Sequence, residues 1–327
     1  MVDVEDLEKR LIDGERRALA RAITLIESTR PDHRDAARRL IAAVYPRIGG
    51  AIRLGLSGTP GVGKSTFIES FGAMLTAQGL KVAVLAVDPS SARTGGSILG
   101  DKTRMERLSR DPNAFIRPSP SRAALGGVAR RTREAIILCE AAGYDLVIVE
   151  TVGVGQSETM VADMTDLFLL LMAPAGGDEL QGVKRGIMEI ADFILVNKAD
   201  GDLKAAATRT AGDYAGALRL MRRRPDNPEG VPDALIASAA EETGLDEAWR
   251  RLKALDEWRR ERGIRDERRA AQAVRWMRAE LEEGLKAAFA ADPAVAAALP
   301  EAEASVAAGE RTPEAAAEAL LGAFLKG

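Results

Sequence analysis

Nine consecutive residues decide the fold of this chain: Gly58, Thr59, Pro60, Gly61, Val62, Gly63, Lys64, Ser65 and Thr66. They match the phosphate-loop pattern G-x-x-x-x-G-K-[ST], in which backbone N–H groups surround phosphate oxygens. An apolar run, Ile52–Leu56, precedes the loop and a helix-compatible run, Phe67–Ala77, follows it, which disfavours a simple glycine-rich turn. We assign all nine residues to phosphate binding. Lys64 is expected to reach the β- and γ-phosphates, and the Ser65 hydroxyl to ligate Mg²⁺.

Short apolar runs recur through the middle of the chain: Ile52–Leu56, Val82–Val87, Leu146–Val149, Leu167–Met172, Phe193–Val196 and Leu235–Ile236. Each is almost continuously apolar, as a parallel strand buried on both faces must be. Helix-compatible stretches such as Ala129–Ala142 and Ala205–Arg222 lie between them. This alternation predicts an α/β fold with a mainly parallel sheet flanked by helices.

Helical patterns flank this region on both sides. We predict an N-terminal helical extension over residues 1–50, a nucleotide-binding domain over 51–243 and a C-terminal helical arm over 244–327. In the arm, apolar residues recur at spacings of three and four: Val274, Met277, Leu281 and Leu285. That stripe predicts a helix packed against another helix.

A second motif, Asn197-Lys198-Ala199-Asp200, follows a predicted strand. The Asp200 carboxylate can accept two hydrogen bonds from guanine, whereas adenine lacks that pair of donors. The stem of Lys198 can lie over the base. Ala237, Ser238 and Ala239 follow the last predicted strand, where backbone amides can contact the guanine oxygen. The two motifs together predict a P-loop GTPase that binds guanine nucleotides through Asn197, Lys198, Asp200, Ala237, Ser238 and Ala239.

Carboxylates also follow the predicted strands, and ligands bind at that edge of a parallel sheet. Asp88 follows Val82–Val87 and Glu150 follows Leu146–Val149. Beside Ser65 they are candidate Mg²⁺ ligands, and Asp101 is a further candidate. The ordinary alternative is that each carboxylate caps a turn or a helix.

Two polar, glycine-rich loops, Ser90–Arg104 and Gly176–Gly182, are candidates for switch elements that the γ-phosphate orders. They could equally be surface connections. We expect the Gly153 amide to sense the γ-phosphate, and Gln156 is a conceivable water-orienting residue. With Lys64 these complete the catalytic candidates.

Composition excludes several classes of site, because 327 residues contain one histidine, His33, and one cysteine, Cys139. Zinc sites built from Cys and His, iron–sulfur clusters and disulfides all need more ligands or partners. We interpret His33 as solvated and Cys139 as a small buried hydrophobe. The chemistry is expected to use lysine, hydroxyls, carboxylates, backbone amides and a hard cation.

The charge balance gives no indication of nucleic acid or membrane as a partner. Lys and Arg number 46, Asp and Glu 49, and the net charge is −3. No apolar run reaches the about 18 residues of a membrane span. The acidic opening Met1–Arg10 argues against a secretory or transit peptide, and with a free cysteine it predicts a cytoplasmic location.

Longer stretches carry a more specific resemblance: Val87–Ser91, Gly95–Met105, Glu150–Glu158 and Gly177–Gly182. With the phosphate loop they resemble the MeaB/ArgK/MMAA family, nearly from end to end of the chain. These are G-protein chaperones of adenosylcobalamin-dependent methylmalonyl-CoA mutase, within the metallochaperone-like branch of P-loop GTPases.

The resemblance implies a homodimer joined by C-terminal helices and slow GTP hydrolysis that the bound mutase accelerates. It implies gating of adenosylcobalamin delivery and protection of the mutase, with the cobalamin held by the partner and not tightly by this chain. Asp88, Asp101 and Glu150 would lie around Mg²⁺. The implied switch that signals to the mutase comprises Asp178, Glu179, Gln181 and Lys184.

Two other functions stay open on the sequence alone. A nickel or cobalt metallochaperone GTPase of the same branch would need a Cys/His cluster. The single histidine and single cysteine of this chain argue against it. A kinase that uses the phosphate-loop nucleotide needs an acceptor site and a general base near the γ-phosphate, and the sequence identifies neither.

Overall fold

The computed structural model describes residues 2–87, 105–118, 125–151, 157–174, 185–221 and 224–325. Within these ranges a seven-stranded sheet forms the centre, and every pairing in it is parallel. The strands are β1 (Ile52–Gly58), β2 (Val82–Val87), β3 (Ala114–Arg117), β4 (Leu146–Thr151), β5 (Leu167–Met172), β6 (Phe193–Val196) and β7 (Asp233–Ile236). They lie in the order β3-β2-β4-β1-β5-β6-β7.

Helices account for most of the remaining described chain. They are α1 (Val4–Ile12), α2 (Arg16–Glu27), α3 (Pro31–Val44), α4 (Lys64–Ala77), α5 (Glu106–Arg110), α6 (Leu125–Ala141), α7 (Ser157–Ala162), α8 (Arg185–Ile190), α9 (Lys204–Leu220), α10 (Leu245–Glu261), α11 (Ile264–Ala291), α12 (Pro293–Ala307) and α13 (Pro313–Phe324). Among the described residues, no helix is both long enough and apolar enough to cross a bilayer.

The predicted α/β fold with a parallel sheet is confirmed. β4 and β5 are buried along their whole length, as strands covered on both faces must be. Sequence analysis did not identify β3. This strand has only four residues, lies at the sheet edge and pairs with β2 alone, so its apolar signal is too short to read.

Parallel pairing brings the carboxyl ends of the strands to one edge of the sheet. β1 and β4 are neighbours in register, with Leu56 opposite Glu150. β6 and β7 are neighbours too, with Val196 opposite Ile236. The phosphate loop, Glu150 and both guanine motifs therefore all leave the sheet at the same edge.

The opposite, amino edge is held by buried ion pairs. The Asp166 carboxylate accepts a hydrogen bond from the Arg53 backbone N–H at 2.9 Å and pairs with the Arg269 guanidinium at 2.6 Å. Arg53 pairs with Glu140, and Arg259 pairs with Asp192 at 2.6 Å. Burial opposes the charge of Asp166, but Arg269, with a contribution from Arg53, holds the pKa of its carboxyl below the ordinary value.

The first 44 residues pack as three helices, α1 to α3, and α2 and α3 also lie against α6. The α2 face consists of fully buried side chains such as Leu19, Ile23 and Ile26. An ionic group at one end of α2 reaches the end of α5, and one at the other end reaches the edge strand β3. Arg16 donates to the carbonyls of Ser109 and Asp111, and Glu27 pairs with Arg117.

The contacts divide the chain into two compact units, residues 1–269 and 270–327. The predicted boundaries at residues 50 and 243 stay predictions; residues 244–269 pack within the first unit. In the second unit α12 packs on α13, and the rings of Phe289 and Phe324 lie 5.4 Å apart. The apolar stripe of α11 is solvent-exposed, with exposed fractions of 46% at Val274, 62% at Met277, 60% at Leu281 and 55% at Leu285.

Replacing Asp166 with asparagine tests the amino-edge ion pairs. Asp166→Asn removes the buried negative charge that pairs with the half-buried Arg269, so we expect the free energy of unfolding at pH 7 to fall by about 3 kcal/mol. Urea titration measures the change. The matched control, Asp35→Asn, removes a carboxylate whose side chain is 66% exposed and should cost less than about 1 kcal/mol.

The same variant should alter the acid limb of the stability curve. Because the folded-state pKa of Asp166 is depressed, its stabilisation is present above the ordinary carboxyl pKa and is lost as the pH falls through the folded-state pKa. Asp166→Asn should therefore lose less stability than the parent between neutral and acidic pH. Parallel curves for the two proteins would contradict the assignment.

Candidate functional site

The phosphate loop joins β1 to α4. Gly63 takes a positive φ of +88°, and a Cβ there would lie 2.8 Å from the Asn197 amide nitrogen, so only glycine fits. α4 begins at Lys64, with its N-terminal N–H groups at the loop. The backbone therefore presents the donors that phosphate oxygens need.

The Lys64 ammonium lies over its own loop. It donates to the Gly58 carbonyl at 2.6 Å and to the Thr59 carbonyl at 3.3 Å. Burial lowers the pKa of Lys64, and the nearby charges of Glu150 and Glu158 partly offset that effect. Lys64 thus places a positive charge against its own loop, within electrostatic reach of two carboxylates.

Those two carboxylates are both buried, with exposed fractions of 8% at Glu150 and 3% at Glu158. Glu150 ends β4 and Glu158 lies in the first turn of α7. Oε2 of Glu158 has no hydrogen-bond partner among the residues that the structure describes. Leaving a buried carboxylate oxygen without a partner is costly, so a donor or a cation at this position would stabilise Glu158.

The sequence stretch Glu150–Glu158 includes Glu158, but no role could be predicted for it. A single glutamate in a sequence gives no indication that its side chain is buried. Within the described ranges there is no group of three or more His, Cys, Asp or Glu placed to hold a metal. Mg²⁺ ligation by Ser65 and Glu150 stays a prediction. The remaining proposed ligands, Asp88 and Asp101, lie outside the described residues.

The side chain of Asn197 joins the phosphate loop to the predicted guanine contact at residues 237–239. Its side chain is 1% exposed. The amide nitrogen donates to the Val62 carbonyl at 2.9 Å, and the amide oxygen accepts from the Ala239 N–H at 3.0 Å. One buried amide therefore satisfies two backbone groups from segments that are far apart in sequence.

Asp200 is held at the edge of the site by Ser238. The Ser238 hydroxyl donates to Asp200 Oδ2 and itself accepts from the Glu241 N–H at 3.1 Å. Ser238 and Thr243 exchange two backbone hydrogen bonds of 3.0 Å, which close the loop. Asp200 is half-buried, so its carboxylate is oriented by the protein and still accessible to a base.

The structure thus brings together most of the described candidates: residues 58–66, Glu150, Asn197, Lys198, Asp200 and residues 237–239. The Gly63 position lies against Asn197 and Lys198, which links the two motifs directly. The other catalytic and switch candidates lie outside the described residues: Gly153, Gln156, Asp178, Glu179, Gln181 and Lys184.

The two residues interpreted as structural are not part of this site. Cys139 is fully buried, and burial raises the pKa of its thiol, which fits a small hydrophobe. His33 is half-buried rather than fully solvated, and its Nδ1 lies 2.9 Å from the Ser28 hydroxyl.

Comparison with known proteins identifies the family of this chain. Residues 19–294 match the model of the methylmalonyl Co-A mutase-associated GTPase MeaB. A putative GTPase of Caulobacter vibrioides is 56% identical, covering 99% of this chain and 98% of that protein. The mitochondrial methylmalonic aciduria type A homolog of Mus musculus is 47% identical, covering 98% and 79%.

Among solved structures, the crystal structure of LAO/AO transport system kinase superposes with a TM-score of 0.76 at 38% identity, covering all of both chains. Likeness of this extent in sequence and in fold, together with the joined phosphate and guanine motifs, establishes the family. The chain belongs to the MeaB family of P-loop GTPases.

Proposed function

We propose that this chain binds GTP with Mg²⁺, hydrolyses it to GDP and phosphate, and acts as a chaperone of a B12-dependent acyl-CoA mutase. By family relationship the partner is methylmalonyl-CoA mutase. We further propose that the nucleotide state gates adenosylcobalamin loading and protects the mutase from inactivation. The chaperone would act as a cytoplasmic homodimer.

The observation that carries the nucleotide assignment is the position of Asp200. Ser238 fixes one carboxylate oxygen, and Asn197 ties the same loop to the phosphate loop. A bound base would therefore meet an oriented anion at a fixed distance from the phosphates. Guanine offers that anion two donors, whereas adenine does not.

The proposed hydrolysis is phosphoryl transfer to water, in which positioning and charge stabilisation supply most of the catalysis. Lys64 is free to exchange its carbonyl partners for β- and γ-phosphate oxygens. Ser65 and Glu150 would hold Mg²⁺, which would supply neutralising charge to the phosphates. Slow turnover by the chain alone, accelerated by the bound mutase, is part of the proposal by family relationship.

Exchanging one guanine contact tests the nucleotide assignment. Asp200→Asn replaces one acceptor oxygen with a donor, so we expect affinity for GDP to fall about thirty- to hundredfold. Xanthosine diphosphate carries a carbonyl where guanine has its amino group, and its affinity should rise. The control Asp202→Asn changes an exposed carboxylate in the next turn and should leave both affinities unchanged.

The apolar stripe of α11 supports the proposed homodimer. Val274, Met277, Leu281 and Leu285 lie on one face at 3.6 residues per turn and are all about half exposed or more. Contiguous exposed apolar surface of this kind marks an interaction site. A second copy of the same helix would bury it without introducing a buried charge.

A charge placed on that stripe should separate the dimer. Leu281→Glu is expected to convert the assembly to a species of 34.8 kDa, the mass of one chain, in analytical ultracentrifugation. Ala287→Glu adds the same residue at an exposed position outside the stripe, about 120° around α11 from Leu281, and should leave the mass of the dimer unchanged. A monomeric parent protein, or equal behaviour of both variants, would contradict the proposal.

Binding to the partner requires a direct experiment. The chain, loaded with a non-hydrolysable GTP analogue or with GDP, is incubated with purified methylmalonyl-CoA mutase, and co-elution is measured. We expect nucleotide-dependent binding and faster release of inorganic phosphate from GTP in the complex. Failure to co-elute would remove the chaperone role but not the GTPase. Transfer of the γ-phosphate to an acceptor other than water would favour a kinase.

A further inference from the structure

A short helix, α5, lies directly on the helix that begins at the phosphate loop. Leu108 of α5 is fully buried. It packs against Gly72 of α4 so closely that a Cβ on this glycine would lie 2.6 Å from Leu108 Cδ2. The absence of a side chain at position 72 is therefore what permits the two helices to meet at this distance.

Glu69, one turn earlier on α4, fixes the start of α5. Its Oε1 accepts from the Arg107 N–H at 2.6 Å, and its Oε2 accepts from the Leu108 N–H at 3.2 Å. The first N–H groups of a helix have no partner within the helix, and a carboxylate there also meets favourable partial charge. Glu69 thus sets the direction in which Arg107 projects.

Arg107 projects to the tip of the loop formed by residues 237–243. Its Nη1 lies 2.6 Å from Glu242 Oε1. Glu242 sits in the loop that the Ser238–Thr243 hydrogen bonds close, and it takes a left-handed φ of +53°. Residues other than glycine adopt this conformation at a cost, which the contacts of the loop, the Arg107–Glu242 pair among them, must offset.

A second contact joins α4 to the same loop. The hydroxyl of Ser70, adjacent to Glu69, donates to the Ala239 carbonyl at 2.7 Å. The loop is therefore held at its base by the Ser70 hydrogen bond and at its tip by the Arg107 ion pair. From the other side, Arg16 of α2 donates to the carbonyls of Ser109 and Asp111 and so fixes the far end of α5.

We propose that Glu69, Arg107 and Glu242 form a brace that positions the guanine-binding loop, residues 237–243, against the phosphate-loop helix. The inference rests on the proposed binding of guanine nucleotides, which it deepens. None of the three needs to touch the nucleotide, so they are positioning residues. Loosening the brace lets the loop leave the conformation in which Ser238 orients Asp200.

The brace therefore acts on the base side of the nucleotide and not on the phosphates. Its loss should speed nucleotide dissociation and should reduce discrimination between guanine and hypoxanthine, which lacks the 2-amino group that Asp200 reads. General destabilisation of the fold would not change that discrimination in the folded fraction. The ratio of the inosine diphosphate and guanosine diphosphate dissociation constants separates the two effects.

A charge swap tests the pair. Arg107→Glu is expected to speed GDP release about three- to fivefold, the effect of a good exposed ion pair, and to lower the ratio of dissociation constants. Glu242→Arg should do the same. The double variant Arg107→Glu/Glu242→Arg should restore both quantities to within about twofold of the parent protein.

Arg110→Glu is the matched control, because Arg110 is an exposed arginine of the same helix whose partner is the local Glu106. It should leave GDP release and base discrimination unchanged. Glu69→Ala should reproduce the effect of Arg107→Glu, since it frees the turn that carries Arg107. Melting temperatures of all variants are recorded so that unfolding is not mistaken for altered binding.

Three results would overturn the brace: unchanged GDP release in Arg107→Glu, an equal change in Arg110→Glu, or no recovery in the double variant. If the parent protein binds GDP but the variants give any of these results, the brace proposal fails and the proposed function stands. If the parent protein binds no guanine nucleotide, both proposals fall together.

Discussion

Parallel pairing of buried strands is the constraint on which the rest of this structure depends. β1 lies between β4 and β5, and helices cover both faces, so charged side chains have room only where strands begin or end. The chain uses the two edges differently. At the amino edge its own charges neutralise one another, whereas at the carboxyl edge Glu158 keeps an oxygen without a partner among the described residues.

The amino-edge carboxylates extend the hydrogen bonding of the sheet beyond its strands. Asp166 accepts from the N–H of Arg53, where β1 begins, and Asp192 accepts from the N–H of Phe168 at 2.9 Å, where β5 begins. Each carboxylate satisfies a backbone donor that would otherwise be buried and unpaired. The arginines that face them, Arg269 and Arg259, form ion pairs that offset the desolvation of both carboxylates.

The sequence was sufficient for features whose signals are local. Six of the seven strands could be predicted, as could the placement of the two motifs at one edge of the sheet, because each is a short pattern with a mechanical reason. β3 could not, since four residues at a sheet edge carry too little periodicity. Neither the amino-edge pairs nor the contacts of Glu69 could be predicted, because they join residues that only the tertiary fold brings together. Arg53 and Asp166, for instance, are 113 positions apart.

The carboxyl edge also explains why the two nucleotide motifs occur together in one chain. The Val62 carbonyl needs a donor and the Ala239 N–H needs an acceptor. The uncharged amide of Asn197 supplies both in one side chain. An aspartate would lack the donor, and an alanine would leave two buried backbone groups unpaired.

The same amide fills the space that Gly63 leaves open, 135 positions after Val62. The last glycine of the phosphate motif and the first residue of the guanine motif are thus sterically matched. If the chain binds GTP as proposed, whatever orders the phosphate loop also bears, through the Asn197 amide, on the loop that begins at Ala237. On that proposal phosphate binding and base recognition would be coupled and would not be two independent sites.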